Sequence, residues 1–272
     1  MKKLLLSAFV ICLAGTSIAQ ESPLWMRHCA LSPDGTTIAF TYKGDIYTVP
    51  STGGRATQIT TNPAFDTEPV WSPDSKQIAF ASDRMGSLDV FVVSSEGGAP
   101  QRLTTHSGSE KPVAYKDNKH ILFTANIAPS AEDAGFPSGQ FQQVYEVAVT
   151  GGRPAMFSSM PMECISINKE GVMLYQDKKG YEDYWRKHQV SPIARDIWTY
   201  TPGKKPVYQK QTTFGGEDRE PVWSPDGKSF YYLSEEKGSF NIFQRTPGTT
   251  TSQQITFHTK HPVPVSYTHL TL

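Results

Sequence analysis

The sequence predicts an all-β fold, and three observations carry that expectation. A short string returns along the chain as Ser32-Pro33-Asp34-Gly35, Ser72-Pro73-Asp74-Ser75 and Ser224-Pro225-Asp226-Gly227, with weaker copies at Tyr115-Lys116-Asp117-Asn118 and Asn168-Lys169-Glu170-Gly171. A second string runs in phase with it: Asp45-Ile46-Tyr47, Asp89-Val90-Phe91, Gln143-Val144-Tyr145, Asp196-Ile197-Trp198 and Asn241-Ile242-Phe243. Its copies lie about 45 to 55 residues apart, in the range of propeller blades. Between them, short runs of Ile, Val, Phe, Tyr and Trp alternate with Gly, Pro, Asp and Ser, which favours strands and turns over helices. The fold expected is a β-propeller of four-stranded blades, five present of six, in an open or incomplete ring.

Met1-Lys2-Lys3, the apolar run Leu4 to Leu13 and the small residues Ser17-Ile18-Ala19 have the basic start, short hydrophobic core and cleavage site of a secretory leader. Residues 1–19 are therefore expected to be a signal peptide, and the chain to be exported to a periplasmic or extracellular location. A propeller over 20–263 follows, with blades at about 28–60, 66–104, 110–158, 163–213 and 218–256.

The second unit shows the grammar of a blade. Glu68 to Ser72 reads as strand one and Pro73-Asp74-Ser75 as a turn, proline fixing φ and Asp bonding the backbone ahead. Gln77 to Phe80, Asp89 to Val93 and Gln101 to Thr104 read as the next three strands, the last pair joined through Gly97-Gly98. One four-stranded sheet cannot bury both faces alone, so neighbouring sheets must stack around a ring. Trp71 and Trp223, with Leu31, Tyr115 and Ile167 as counterparts, are then core residues between blades.

Two departures from the repeat mark a candidate functional face. Asn126 to Phe141 and Gln176 to Ala194 are insertions between the second and third strands of blades three and four. Such connections emerge on one face of the ring, where long loops on a rigid scaffold often carry binding. The blade-four insertion is dense in side chains that grip peptides: Tyr181, Trp185, Arg186, Lys187 and His188, followed by Arg195. Arg offers a bidentate fork for a carboxylate and Trp a flat apolar wall, although a loop packed on its own blade is the competing interpretation. The first strand of each blade lines the central channel, and aligning the repeats puts His28, Glu68, Lys111, Glu163 and Glu220 at its first position.

Composition narrows the function classes. The formal net charge is +0, and without Lys2 and Lys3 the chain is slightly acidic, which gives no basic surface for nucleic acid and no basic helix for a membrane. No run is long and apolar enough for a membrane span. Beyond the leader only Cys29 and Cys164 remain. They fall at nearly the same register in blades one and four, which face each other across a six-bladed ring. A disulfide needs Cα atoms within about 7 Å, so two free, mostly buried thiols are expected.

Catalytic signatures are missing from the pattern. Gly135-Phe136-Pro137-Ser138-Gly139 has its serine one place too late for a nucleophile elbow. The histidines show no metal spacing, and the double glycines recur with the repeat as hairpin turns, so no metal and no cofactor are expected. Asp83-Arg84 and Asp218-Arg219 sit at blade connections, where ion pairs are ordinary.

The strings Glu-Pro-Val-Trp-Ser-Pro-Asp, Ile-Ala-Phe and Asp-Val-Phe resemble the repeat shared by TolB-type proteins and the propellers of tricorn-type proteases. Gly180 to His188, with Arg195-Asp196-Ile197-Trp198, resembles the corresponding stretch of bacterial tricorn-like serine peptidases of the S41 class. That resemblance implies a six-bladed amino-terminal propeller followed by a second propeller, a PDZ domain and a catalytic core. No catalytic residue then falls in this chain, and its role is to admit or position peptide or unfolded-protein substrate, in a parent that is compatible with homo-oligomers. A TolB-like protein-binding propeller and the propeller of a prolyl-oligopeptidase-type peptidase are the alternatives; a first blade so close to the leader disfavours TolB, which carries a separate α/β domain ahead of its propeller. After His261-Pro262-Val263 the repeat fails, and 264–272 resembles read-through into adapter sequence, so that tail is expected to be non-native.

Overall fold

The computed structural model describes residues 25–127, 141–180 and 190–259. These form five separate four-stranded sheets, each a meander in chain order. Blade one holds β1 (Arg27–Leu31), β2 (Thr37–Tyr42), β3 (Asp45–Pro50) and β4 (Thr57–Gln58). Blade two holds β5 (Asp66–Trp71), β6 (Gln77–Ser82), β7 (Asp89–Ser94) and β8 (Gln101–Arg102). Blade three holds β9 (Glu110–Asp117), β10 (His120–Ala125), β11 (Gln143–Ala148) and β12 (Ala155–Ser158). Blade four holds β13 (Met162–Ile167), β14 (Met173–Asp177), β15 (Ile197–Thr201) and β16 (Val207–Lys210). Blade five holds β17 (Asp218–Trp223), β18 (Phe230–Ser234), β19 (Asn241–Arg245) and β20 (Gln253–Gln254). No helix occurs among the described residues, and so none long and apolar enough to cross a membrane.

The repeated strings act locally as their chemistry requires. In each Ser-Pro-Asp turn the serine hydroxyl donates to the aspartate, Ser32 to Asp34 at 2.6 Å, Ser72 to Asp74 at 2.7 Å and Ser224 to Asp226 at 2.6 Å. The turn closes on a left-handed residue, glycine at Gly35 and Gly227 but serine at Ser75. At the outer edge a threonine hydroxyl takes the place of a longer fourth strand. Thr60, Thr104, Thr212 and Thr256 accept the backbone N–H of Ile46, Val90, Ile197 and Ile242 at 2.9 to 3.0 Å. Thr104, expected within a strand, is therefore a side-chain clasp instead.

Apolar cores lie between blades. Ile46, Ile78 and Phe80 sit in the core of blades one and two; Val90, Ile121 and Phe123 in that of blades two and three. Leu122, Met162 and Tyr175 join blades three and four, and Leu174, Ile197, Phe230 and Tyr232 join four and five. Fully burying such a side chain contributes about 2 kcal/mol, so each interface holds a substantial share of the stability. Trp71 and Trp223 pack here as expected, and each indole also donates across the interface to the preceding blade, to Ala30 O at 2.9 Å and to Val172 O at 3.1 Å.

First strands of successive blades contact one another, β1 with β5, β5 with β9, β9 with β13 and β13 with β17, so they form the inside of the ring. Among the described residues no hydrogen bond joins blade five back to blade one.

Every first strand is kinked by a bulge near its start. The register slips between Arg27 and Ala30, Thr67 and Val70, Glu163 and Ser166, and Arg219 and Val222. The residue that absorbs the slip is left-handed: His28 (φ 50°), Glu68 (φ 55°), Cys164 (φ 52°) and Glu220 (φ 52°). In blade three Pro112, whose ring holds φ negative, stands at this position, and β9 takes its extra residue, Val113, between the partners of Leu122 and Phe123.

Candidate functional site

Because strands alternate in direction, the start of each first strand lies at the same end of its blade as the second-to-third connection. The contacts agree: Arg84, in the β6–β7 connection, reaches Asp66 at the start of β5, and Lys178 and Arg195, flanking the blade-four insertion, reach Glu163 at the start of β13. The bulges and the insertions therefore share one face.

Alignment by repeat put His28, Glu68, Lys111, Glu163 and Glu220 at one position. The pairing corrects two of them. His28, Glu68 and Glu220 are equivalent left-handed bulge residues, but the equivalent in blade four is Cys164 and in blade three Pro112, so Glu163 and Lys111 stand one residue earlier. A bulge adds a residue to one strand and hides that offset from a string comparison.

These side chains fall into two clusters. Across blades one to three, Lys111 Nζ donates to Glu68 Oε1 at 2.7 Å, and His28 Nδ1 lies 3.0 Å from Thr67 Oγ1. Desolvation lowers the His28 pKa, opposed by Glu68 and helped by the Lys111 and Arg27 charges, which favours the neutral imidazole.

Across blades four and five the hub is Glu163. Gln176 Nε2 donates to it at 3.0 Å, Lys178 Nζ at 3.0 Å and Arg195 Nε at 3.2 Å. Burial works to raise this carboxyl, but those hydrogen bonds and the Lys178 and Arg195 charges prevail and hold it below the usual range. Arg195 also reaches Glu217 through Nη1 at 3.3 and 3.4 Å. Its guanidinium, expected to be an open fork for a peptide carboxylate, is thus already engaged by two carboxylates and is a link within the wall. Tyr181, Trp185, Arg186, Lys187 and His188 lie outside the described residues.

The base of the blade-four insertion is clamped. Asp177 Oδ1 accepts Asp196 N at 2.8 Å and its Oδ2 accepts the Trp198 indole at 2.9 Å, while Lys179 donates to Ala194 O at 2.5 Å and pairs with Asp196. Gln176 and Asp177, expected in the insertion, are strand residues of β14. Gln176 is also the functional-face residue that the repeat pattern did not reveal: a buried polar side chain in an otherwise apolar strand was its only signal.

Two further expectations change. Asp83-Arg84 is not a pair, because Arg84 turns to Asp66 at 2.9 Å and Asp83 accepts Phe65 N at 2.8 Å. Cys29 and Cys164 are both free thiols, but Cys29 is half-buried and Cys164 exposed, since the bulge rotates the latter out of the sheet.

A ring of repeated meander blades with polar inner bulges defines a propeller domain. The family model for the tricorn protease N-terminal β-propeller domain matches residues 23–269, and the chain belongs to that family. It is 39% identical over 213 residues to tricorn protease homolog 1 of Streptomyces coelicolor, covering 78% of this chain and 19% of that protein. The crystal structure of the tricorn protease superposes with a TM-score of 0.69 at 16% identity, covering 89% of this chain and 23% of that one. A putative TolB from Agrobacterium tumefaciens superposes with a TM-score of 0.66 at 14% identity, covering 86% and 81%.

Proposed function

We propose that this chain is the non-catalytic propeller of an exported tricorn-like serine peptidase of the S41 class, and that it admits or positions peptide substrate for a catalytic core elsewhere in the parent. The observation that supports this reading is the set of bulges in the first strands, which carry His28, Glu68, Cys164 and Glu220 at the end of each blade where the second-to-third connection begins. Family membership supports the peptidase assignment, and the leader-like residues 1–19 support export. In this reading His28, Glu68, Lys111, Glu163 and Glu220 line a polar channel mouth, and Tyr181, Trp185, Arg186, Lys187 and His188 contribute to substrate binding.

The test uses the exposed thiol. With Cys29→Ser, a photoactivatable maleimide on Cys164 is expected to cross-link peptides from a casein digest. The same label on a rim residue, Tyr208→Cys in a chain also carrying Cys29→Ser and Cys164→Ser, is expected to capture far fewer. Equal capture at both positions would sink the channel reading, and casein hydrolysis that copurifies with the chain would sink the non-catalytic one.

A further inference from the structure

Gln176 is 5% exposed and lies in the second strand of its blade, directly opposite Glu163. Its amide makes two bonds in two directions. Nε2 donates to Glu163 Oε2 at 3.0 Å within blade four, and Oε1 accepts the backbone N–H of Glu220 at 2.7 Å in blade five. Glu220 is the left-handed bulge residue of β17, so this N–H has been turned out of the regular strand ladder and needs an acceptor of just this reach. Residues at the equivalent place in the other blades are Thr41, Ala81, Thr124 and Leu233, none long enough to bridge to the next blade. Among the described residues the pairing of a buried amide with a bulge of the neighbouring blade therefore occurs once, beside the exposed Cys164.

We propose that Gln176 is a positioning residue: it fixes the Glu163 side chain and the Glu220 bulge on either side of Cys164, and so sets the electrostatic character of the blade-four and blade-five sector of the channel mouth. This rests on the channel reading given above. An amide suits the role because it supplies a donor and an acceptor at once at any pH, whereas a carboxylate supplies both only while protonated. Glu163 precedes Cys164 in β13 and Glu220 forms the bulge of the contacting strand β17, and both carboxylate charges oppose ionisation of the thiol.

Cys164 is thus a built-in reporter. In the full chain carrying Cys12→Ser and Cys29→Ser, the rate of Cys164 alkylation by N-ethylmaleimide is measured from pH 5.5 to 8.5. Gln176→Leu keeps the volume and removes both hydrogen bonds; Glu163 is left to Lys178 and Arg195 alone and is drawn toward them, and the rate is expected to rise at least threefold across the range. Gln176→Glu is expected to match the parent at the acid end, where the protonated acid mimics the amide. It should fall at least threefold behind the parent at the alkaline end, where a third carboxylate opposes the thiolate. A purely structural Gln176 would lower the melting temperature in both variants and leave the rate ratios within error of one; that result overturns the proposal. If Gln176→Leu fails to fold, the pH-dependent divergence of Gln176→Glu decides alone. The channel reading is judged separately by replacing the small reagent with a 5 kDa-class polyethylene glycol maleimide: parent Cys164 should react far more slowly with it, and equal rates would sink the channel reading without touching the Gln176 ratios.

Discussion

Blades two and five bury the same carboxylate at the start of the inner strand and treat it differently. Asp66 pairs across the sheet with Ser82, and Asp218 with Ser234, so the two positions are equivalent, and both side chains are buried. Two residues after the serine, blade two has Arg84, whose Nη2 holds both Asp66 oxygens at 3.0 and 2.9 Å while its plane lies over Phe91. Blade five has Glu236 at that place. Desolvation, with the Asp196 and Glu236 charges added, lifts Asp218 to about 7, against the pull of the Ser234 and Thr212 hydroxyls beside it. One repeat position thus carries a paired anion in blade two and, near neutral pH, a group that exchanges its proton in blade five. Burying a carboxylate is tolerated only where a cation or a proton neutralises it.

The largest effect should come from removing the cation of blade two. Arg84→Ala leaves Asp66 in a site closed to water, and losing one partner of a buried pair costs about 3 kcal/mol or more. Urea unfolding at pH 7.5 should show that loss. A change below about 0.5 kcal/mol, the scale of exposed pairs, would mean the site is wetter than its geometry implies.

In blade five the sign reverses. The folded state holds a proton on Asp218 between about 4 and 7 that the unfolded chain has released, so this group's contribution falls as pH rises through that window and stays low above 7. Asp218→Asn removes the titration. The variant should gain on the parent by about 1.4 kcal/mol per pH unit across the window, the value for one proton, and lead by most at pH 8. Parallel stability curves for the two proteins would refute the shifted acid. Glu236→Arg, which rebuilds the blade-two arrangement, should stabilise by about 1–2 kcal/mol at pH 8, the scale of a charged hydrogen bond, and flatten the same slope.

The contrast shows which features the sequence displays and which it conceals. Ser72-Pro73-Asp74, Asp89-Val90-Phe91 and Trp71 announce the blade because a turn, a strand start and a core plug each require particular residue types locally. Arg84 reads in the sequence as the partner of its neighbour Asp83 but pairs with Asp66, because adjacency in sequence does not reveal which side chain turns inward. The bulges are hidden for a related reason: His28, Glu68, Cys164 and Glu220 share a backbone conformation but not a residue type, two being glutamates, one a histidine and one a cysteine. Gln176 was hidden because its role depends on a residue of the next blade, 44 positions away. Turns, strand starts and core plugs are legible in the string, whereas the side-chain pairings Asp66–Arg84 within a blade and Gln176–Glu220 between blades become so only in the ring.

The smallest difference between blades two and five lies in their first turns. Gly227 closes the turn of blade five at φ 69°, whereas Ser75 takes φ 60° at the same place in blade two. A left-handed residue with a Cβ is strained by about 1 kcal/mol, and glycine removes the strain while giving back part of it through a looser unfolded chain. Ser75 has one compensation, since its hydroxyl accepts Asp34 N from the neighbouring turn, but at 3.3 Å and exposed that bond contributes little. Ser75→Gly should therefore stabilise by roughly 0.5 kcal/mol in thermal unfolding. If it destabilises instead, the turn-to-turn bond between blades one and two outweighs the backbone strain. The parallel contact in blade two, where Asp74 N is held by Asn118 Oδ1 at 3.1 Å, would then gain importance as a clasp around that face.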